Sequence, residues 1–185
     1  MFKIMTLKDE VRVPPTKFDL DINQAIKESL QDSVEGKLNP EVGVFLVVTD
    51  ILSVGEGTIK PEDGAIFYPS EFKVLAYKPE VNEMVMGVVV DITEFGAFVR
   101  IGPLDALVHV SQIMDDRISY DQKNATFVGK KNPYKLKEGD VVKARIVGLS
   151  LGKGRSKISM TMRQPSLGAL DWIEKEKKKE VKKSR

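Results

Sequence analysis

Cysteine is absent from the 185 residues, which excludes disulfides, thiolate nucleophiles and Cys-based metal sites. Histidine occurs once, at His109, and tryptophan once, at Trp172. A single histidine removes most metal and nucleophile constellations, and no H-E-x-x-H, G-x-S-x-G or phosphate-binding loop pattern is present. Carboxylates are plentiful, but context sets no pair of them apart. Autonomous catalysis therefore has no candidate residues, and neither a metal nor a cofactor is expected. No apolar run approaches the roughly 18 residues of a membrane span. The opening MFKIMTLKDE is too charged for a secretory signal. The expectation is a cytoplasmic, non-catalytic protein without membrane contact, and the lack of cysteine fits a reducing compartment.

Net charge is also nearly absent, at +2, but this total conceals a division. Residues 1–82 carry nine Lys/Arg against fourteen Asp/Glu, a net of −5, and residues 83–185 carry twenty against thirteen, a net of +7. Separate acidic and basic halves point to different partners for each. The chain is long enough for two small domains with cores of their own, and 42% apolar with 30% charged residues is the composition of a globular protein.

The first 79 residues read as α+β. A loosely alternating strand (Phe2, Ile4, Leu7, Val11) stops at Pro14-Pro15. In DINQAIKESLQDSVEGKL, Ile22, Ile26, Leu30 and Val34 recur every fourth residue, the apolar stripe of a helix. The small residues Ala25, Ser29 and Ser33 beside the stripe allow another backbone to approach. Asp21 with Gln24 resembles a capping box, and Gly36 suits the helix exit. The nearly continuous apolar run GVFLVVTDILSV predicts a buried central strand. After a turn at Pro61–Gly64, a strand pair or one bent strand follows to about residue 79. From residue 80 the pattern changes to short strands at 84–93, 96–102, 104–113, 140–150 and 157–163. Five strands in about 80 residues suggest a small closed barrel. The stretch 114–137 is too long for a plain connection and predicts an insertion with helical or hairpin structure of its own. The end, 166–185, reads as a helix starting near Leu167 and running into the charged tail EKEKKKEVKKSR.

Strand parity sorts the barrel side chains. Ala97, Val99 and Ile101 share one face, and Phe98 and Arg100 the other. Ala106, Val108 and Val110 oppose Leu107 and His109. Val142, Ala144 and Ile146 oppose Lys143 and Arg145, and Ile158, Met160 and Met162 oppose Lys157, Ser159, Thr161 and Arg163. The loop LGKGRSK adds Lys153, Arg155 and Lys157 around two glycines. If the aliphatic sets form the core, Phe98, Arg100 and His109 face outward. Phe95, just ahead of Gly96, has no direction fixed by parity. Exposed rings among cations suit single-stranded nucleic acid, whose bases stack while Lys and Arg neutralise phosphates. Caps on the barrel end for the phenylalanines, and a structural hydrogen bond for His109, are the competing readings.

GVVVDITEFGAFVRIG followed by ALVHVSQI resembles the S1-like RNA-binding domain, an OB-fold barrel, over residues 80–165. That resemblance implies RNA contact by Phe95, Phe98 and His109 and by a basic position at Arg155 or Lys157. The whole chain is similar to the family of the seventh RNA polymerase subunit, a stalk component whose archaeal form is called E-prime. The resemblance rests on the strand ending in Pro-Pro, the helix, EGKLNPEVGVFLVV and a C-terminal S1-like barrel with a long insertion. It implies a truncated RNP-like tip domain that docks on core RNA polymerase, and a heterodimer with a smaller helical stalk polypeptide called F. It also implies contact with emerging single-stranded RNA during initiation, elongation and termination, with nucleotidyltransferase activity belonging to the assembled complex. The candidate RNA-binding residues are then Phe95, Phe98, Arg100, His109, Lys143, Arg145, Lys153, Arg155 and Lys157. The candidate core-docking segment is Gly36, Lys37, Leu38, Asn39 and Pro40, for which an ordinary turn is the other reading. An S1-like component of another RNA machine, such as an exosome cap or a translation initiation factor, is the alternative assignment.

Overall fold

A computed structural model describes residues 1–152 and 155–183, with Arg155 and the last five of these by backbone alone. The chain divides into two compact units, one built on Met1–Lys78 and the other on Pro79–Ser150 and Arg155–Arg185.

The first unit is the α+β, RNP-like half. It contains β1 (Phe2–Val13), α1 (Ile22–Val34), β2 (Leu38–Asn39), β3 (Gly43–Val54), β4 (Thr58–Ile59) and β5 (Ile66–Tyr77). The antiparallel order is β1-β5-β3-β2, with β4 added to β5. The segment after the Pro61–Gly64 turn is thus one long strand, and it is the central one. GVFLVVTDILSV, expected as a buried central strand, lies between that strand and the two-residue β2, and it is only partly buried. Three register shifts against β5 break its alternation and leave Val47 and Leu52 exposed, so both faces are apolar without both being buried. Helix α1 covers one face of the sheet. Ile26 and Leu30 are buried against Val11, Val13, Val48, Phe72, Val74 and Ala76. Full burial of a side chain such as Ile26 contributes about 1.5–3 kcal/mol. The stripe is shifted from the every-fourth-residue line. Ile22 is 52% exposed, whereas Ala25 and Ser29 are buried. Ser29 is accommodated because its hydroxyl donates to the Ala25 carbonyl at 2.7 Å. The expected capping box is half formed. Asp21 accepts from the Asn23 N–H at 3.1 Å, but Gln24 reaches along the helix to Glu28 instead of back to the cap.

The second unit contains β6 (Met84–Thr93), β7 (Gly96–Ile101), β8 (Leu104–His109), β9 (Ile118–Asp121), β10 (Thr126–Gly129), β11 (Lys135–Leu136), β12 (Val141–Gly152), β13 (Arg155–Thr161), β14 (Gly168–Ala169) and α2 (Leu170–Lys183). Strands β13, β8, β7, β6 and β12 form a sheet that closes through a β13–β12 pairing, the five-stranded OB-type barrel. Val89, Ala97, Val99, Ile101, Ala106, Val108, Val142, Ala144, Ile146, Ile158 and Met160 fill it, as parity requires. Val110 departs from the expected strand. It opens a 3-10 turn over Val110–Gln112, capped by the His109 side chain. Thr161 also departs, turning inward to donate to the Gln112 side-chain oxygen at 2.8 Å. The insertion forms its own sheet in the order β11-β10-β9. Its fully buried Phe127 and Leu136 join the barrel core. Trp172 of α2 packs on the same core and donates to the Lys135 carbonyl at 3.2 Å.

Candidate nucleic-acid interface

The β6–β7 turn and the start of β7 build an aromatic ledge. Phe95, in the turn, is 46% exposed, and Phe98 is half-buried. Their centroids lie 6.0 Å apart with planes at 89°, an edge-to-face pair. Backbone closeness holds the turn in place. Val110 N–H donates to the Phe95 carbonyl at 2.9 Å, and the Thr93 hydroxyl donates to the Gly96 carbonyl at 3.0 Å. A Cβ at Gly96 would come within 2.4 Å of the Val108 carbonyl oxygen, so no side chain fits there. Across the ladder Phe98 faces Leu107 on β8 and Asp91 on β6, and Gly96 faces His109.

His109 is exposed. Its Nδ1 accepts from the Ser111 N–H at 3.3 Å and lies 2.9 Å from the Ser111 hydroxyl. A backbone N–H can only donate, so Nδ1 carries no proton and Nε2–H is the tautomer. The structural reading of His109 and the binding reading are therefore compatible. One ring nitrogen caps the 3-10 turn, and the other is left for a ligand.

Around the ledge the candidate cations separate. Arg100 is tied to Asp105 by a two-pronged ion pair, Nε at 2.9 Å and a terminal nitrogen at 3.3 Å. That hydrogen bonding raises the Arg100 pKa and offsets its charge locally. Lys157 is exposed on β13 beside a 630 Å³ cleft that opens where β13 and β8 part beyond their two paired rungs. Phe98, Leu104, Asp105, Leu107 and Ser159 share this cleft with it. Lys143 and Arg145 do not reach the ledge. They pair with Met86 and Met84, whereas Phe98 pairs with Asp91, five residues further along β6. At about 3.3 Å per residue that is roughly 16 Å. Arg145 Nε is buried without a hydrogen-bond partner among the described residues. Lys153 lies outside the described residues, as does the side chain of Arg155, whose backbone opens β13.

Residues 36–43 fold as a short hairpin. Gly36 takes a positive φ of 75°, Leu38 and Asn39 pair with Val44 and Gly43, and the Asn39 side chain accepts from Glu41 N–H at 2.8 Å and Val42 N–H at 3.2 Å. Gly43, at φ 98°, lies so close to the end of β5 that a Cβ would meet the Tyr77 carbonyl at 2.3 Å. Lys37 and Pro40 are exposed and Leu38 is half-buried.

Sequence reasoning passed over an apolar strip on the outer face of β6 and β12. Met84, Met86, Val88, Val141 and Val147 are all exposed there. In β6 both parities are apolar, so alternation does not single out the exposed side.

Comparison with known proteins follows the same division. Residues 78–161 match the family model "S1 RNA binding domain", and residues 8–64 match the SHS2 domain found in the N terminus of Rpb7p and Rpc25p. The chain is 36% identical over 180 residues to a DNA-directed RNA polymerase subunit Rpo7 of Saccharolobus shibatae, covering 96% of this chain and all of the relative. It is 36% identical over 177 residues to the Rpo7 of Sulfolobus acidocaldarius, covering 95% and 97%. A DNA-directed RNA polymerase III subunit RPC8 of Saccharomyces cerevisiae is 36% identical over 87 residues, covering 47% of this chain and 41% of the relative.

Proposed function

Because the chain belongs to the Rpo7 family of DNA-directed RNA polymerase subunits, non-catalytic components of the polymerase stalk, we propose three contacts for it. It docks on core polymerase through the first unit, pairs with the F polypeptide as a heterodimer, and binds emerging single-stranded RNA on the barrel. Through them it assists initiation, elongation and termination in the cytoplasm. The observation that carries the RNA reading is the Phe95–Phe98–His109 ledge. Two rings and an imidazole reach solvent on a barrel whose own five strands turn aliphatic and methionine side chains and Thr161 into the core.

The ledge works by stacking. Rings at 89° cannot both lie flat on one base, so successive bases must turn to use both. Each stacked base contributes about 1–3 kcal/mol, with little dependence on which base it is. Lys157, with Lys153 and Arg155, supplies phosphate contacts that weaken as salt rises. Arg100, held by Asp105, stiffens the rim beside Phe98 and has less charge to offer a phosphate.

For the F polypeptide, the strip of Met84, Met86, Val88, Val141 and Val147 is the fitting surface. Contiguous exposed apolar side chains mark an interaction site. Lys143 and Arg145 stand among these residues, and the unpaired Arg145 Nε suits an acceptor arriving with the partner. For core polymerase, the hairpin of Gly36, Lys37, Leu38, Asn39 and Pro40 is the projecting segment of the first unit.

The test is RNA binding by the purified chain carrying Phe98→Ala or Lys157→Ala across a salt series. Stacking loss lowers affinity with the salt slope unchanged, and lysine loss flattens the slope. Unchanged affinity in both removes the ledge as the RNA surface.

A further inference from the structure

The insertion, residues 114–137, carries six cations and three carboxylates. Its cations are Arg117, Lys123, Lys130, Lys131, Lys135 and Lys137, all exposed. None forms an ion pair among the described residues. None of its three carboxylates forms an ion pair with these cations among the described residues, although Asp116 and Asp121 act through charge on Lys131 and Lys135. Asp115 pairs with Arg163 of the barrel side. Asp116 accepts from the backbone N–H groups of Arg117 at 2.6 Å, Lys131 at 2.7 Å and Asn132 at 2.9 Å, which hold its pKa below the usual carboxylate range. Asp121 accepts from the Asn124 side chain at 2.7 Å and the Lys123 N–H at 3.0 Å.

Register determines which way the cations face. Tyr120, Phe127 and Leu136 lie on one rung and turn inward, and the Tyr120 hydroxyl donates to the Ile92 carbonyl at 3.4 Å. Residues of the other parity turn outward, with Ser119, Val128 and Lys135 on one rung. Lys130 N–H donates to the Arg117 carbonyl at 2.9 Å, which extends the β9–β10 ladder and sets Arg117 opposite Lys130. Like charges directly opposite each other destabilise a strand pair. The outer face tolerates that cost and adds Lys135 on the third strand and Lys137 just past its end. Beside these two lysines lies a 260 Å³ cleft. Its wall is the Tyr134 ring stacked on Trp172 at 5.3 Å and 17°, and Lys175 of α2 lies on its rim with Asp140 and Asp171.

We propose that the outer face of the β9–β10–β11 sheet is a second RNA contact, gripping the phosphate backbone of a single strand that also crosses the aromatic ledge. Arg117 and Lys130 face each other across the ladder, Lys135 and Lys137 share the outward parity, and no carboxylate within 114–137 forms an ion pair with them among the described residues. The choice of RNA as the polyanion rests on the function proposed above; the surface itself does not.

The experiment compares two variants of the full chain, Lys130→Ala/Lys135→Ala/Lys137→Ala and Phe95→Ala/Phe98→Ala. Each is titrated with a labelled oligouridylate over a salt series, with circular dichroism confirming the fold. Losing three phosphate contacts should reduce the slope of log K against log salt by about 2. The lysine variant should show that change, and the ring variant should lose affinity with its slope kept. An unchanged slope in the lysine variant overturns the second contact even if the ring variant fails to bind. A flattened slope with an unaffected ring variant keeps the second contact and removes the ledge instead. Displacement of the RNA by polyglutamate with equal potency per charge also overturns it, in favour of an acidic protein partner.

Discussion

In the unit of Met1–Lys78, four cations sit on carboxylates: Arg12 on Asp63 at 2.8 Å, Lys17 on Asp32 at 2.6 Å, Lys8 on Glu71 at 3.5 Å, and Lys60 on Glu10. In the barrel unit Arg100 and Arg163 are paired, but Lys157 and the six cations of the insertion carry no ion pair among the described residues. The acidic half carries a negative surplus and ties four of its cations to its own carboxylates. The basic half leaves its positive charge in solvent, beside exposed rings. Surface ion pairs of the first kind contribute little to stability. Their consequence is for binding, because a half with a net negative charge and several cations already paired is a poor phosphate binder and is free to serve as a protein-docking module.

The comparison is broken most decisively by removing 38–41. Loss of this segment should abolish association with core polymerase in co-purification and leave RNA affinity unchanged; retained association would dissociate docking from the first unit's hairpin. Next in size is Ile26→Ala, which empties a fully buried site under α1. It should destabilise the first unit by about 2–5 kcal/mol in denaturant unfolding, with the ledge still binding RNA. Met86→Asp places a charge on the apolar strip and should cost at least about 2 kcal/mol in pairing with the F polypeptide, measured by titration calorimetry, without altering RNA binding. The smallest effect is in the insertion. Asp116 has a lowered pKa in the folded state, so its stabilisation is complete above its unfolded value of about 3.9 and is lost as pH falls through the lower folded value. Asp116→Asn should remove that part of the acid-induced loss of stability, seen as a flatter melting temperature against pH below about pH 4.

How much of this was legible in the sequence differs between the same two regions. The barrel alternates strictly where it matters. Ala97, Val99 and Ile101 against Phe98 and Arg100 leave one solution, and the outward direction of Phe98 follows from it. Phe95 has no parity to read because it lies in a turn. Parity gives Lys143 and Arg145 an outward face, but it does not say which neighbour shares that face. The β12–β6 register does, and it puts methionines there. The strip on β6 stayed hidden because a strand with Met84, Met86 and Val88 on one side and Val85 and Val89 on the other has no parity signal. In the first unit the apolar run of β3 suggested a central strand. It lies inside the strand order, between β5 and the two-residue β2, but register shifts against β5, invisible to periodicity, accompany its incomplete burial. The cationic face of the insertion was present in composition, but only the β9–β10–β11 register shows that Lys130 and Lys135 share a side opposite the buried Phe127 and Leu136.

The central claim is that rings left exposed on the barrel bind single-stranded RNA by stacking. Measuring the affinity of Phe98→Ala for oligouridylate at fixed salt tests it most directly. Loss of one stacking contact of about 1–3 kcal/mol predicts a weakening of roughly 5- to 150-fold with no change in fold. An affinity equal to that of the parent chain would contradict it.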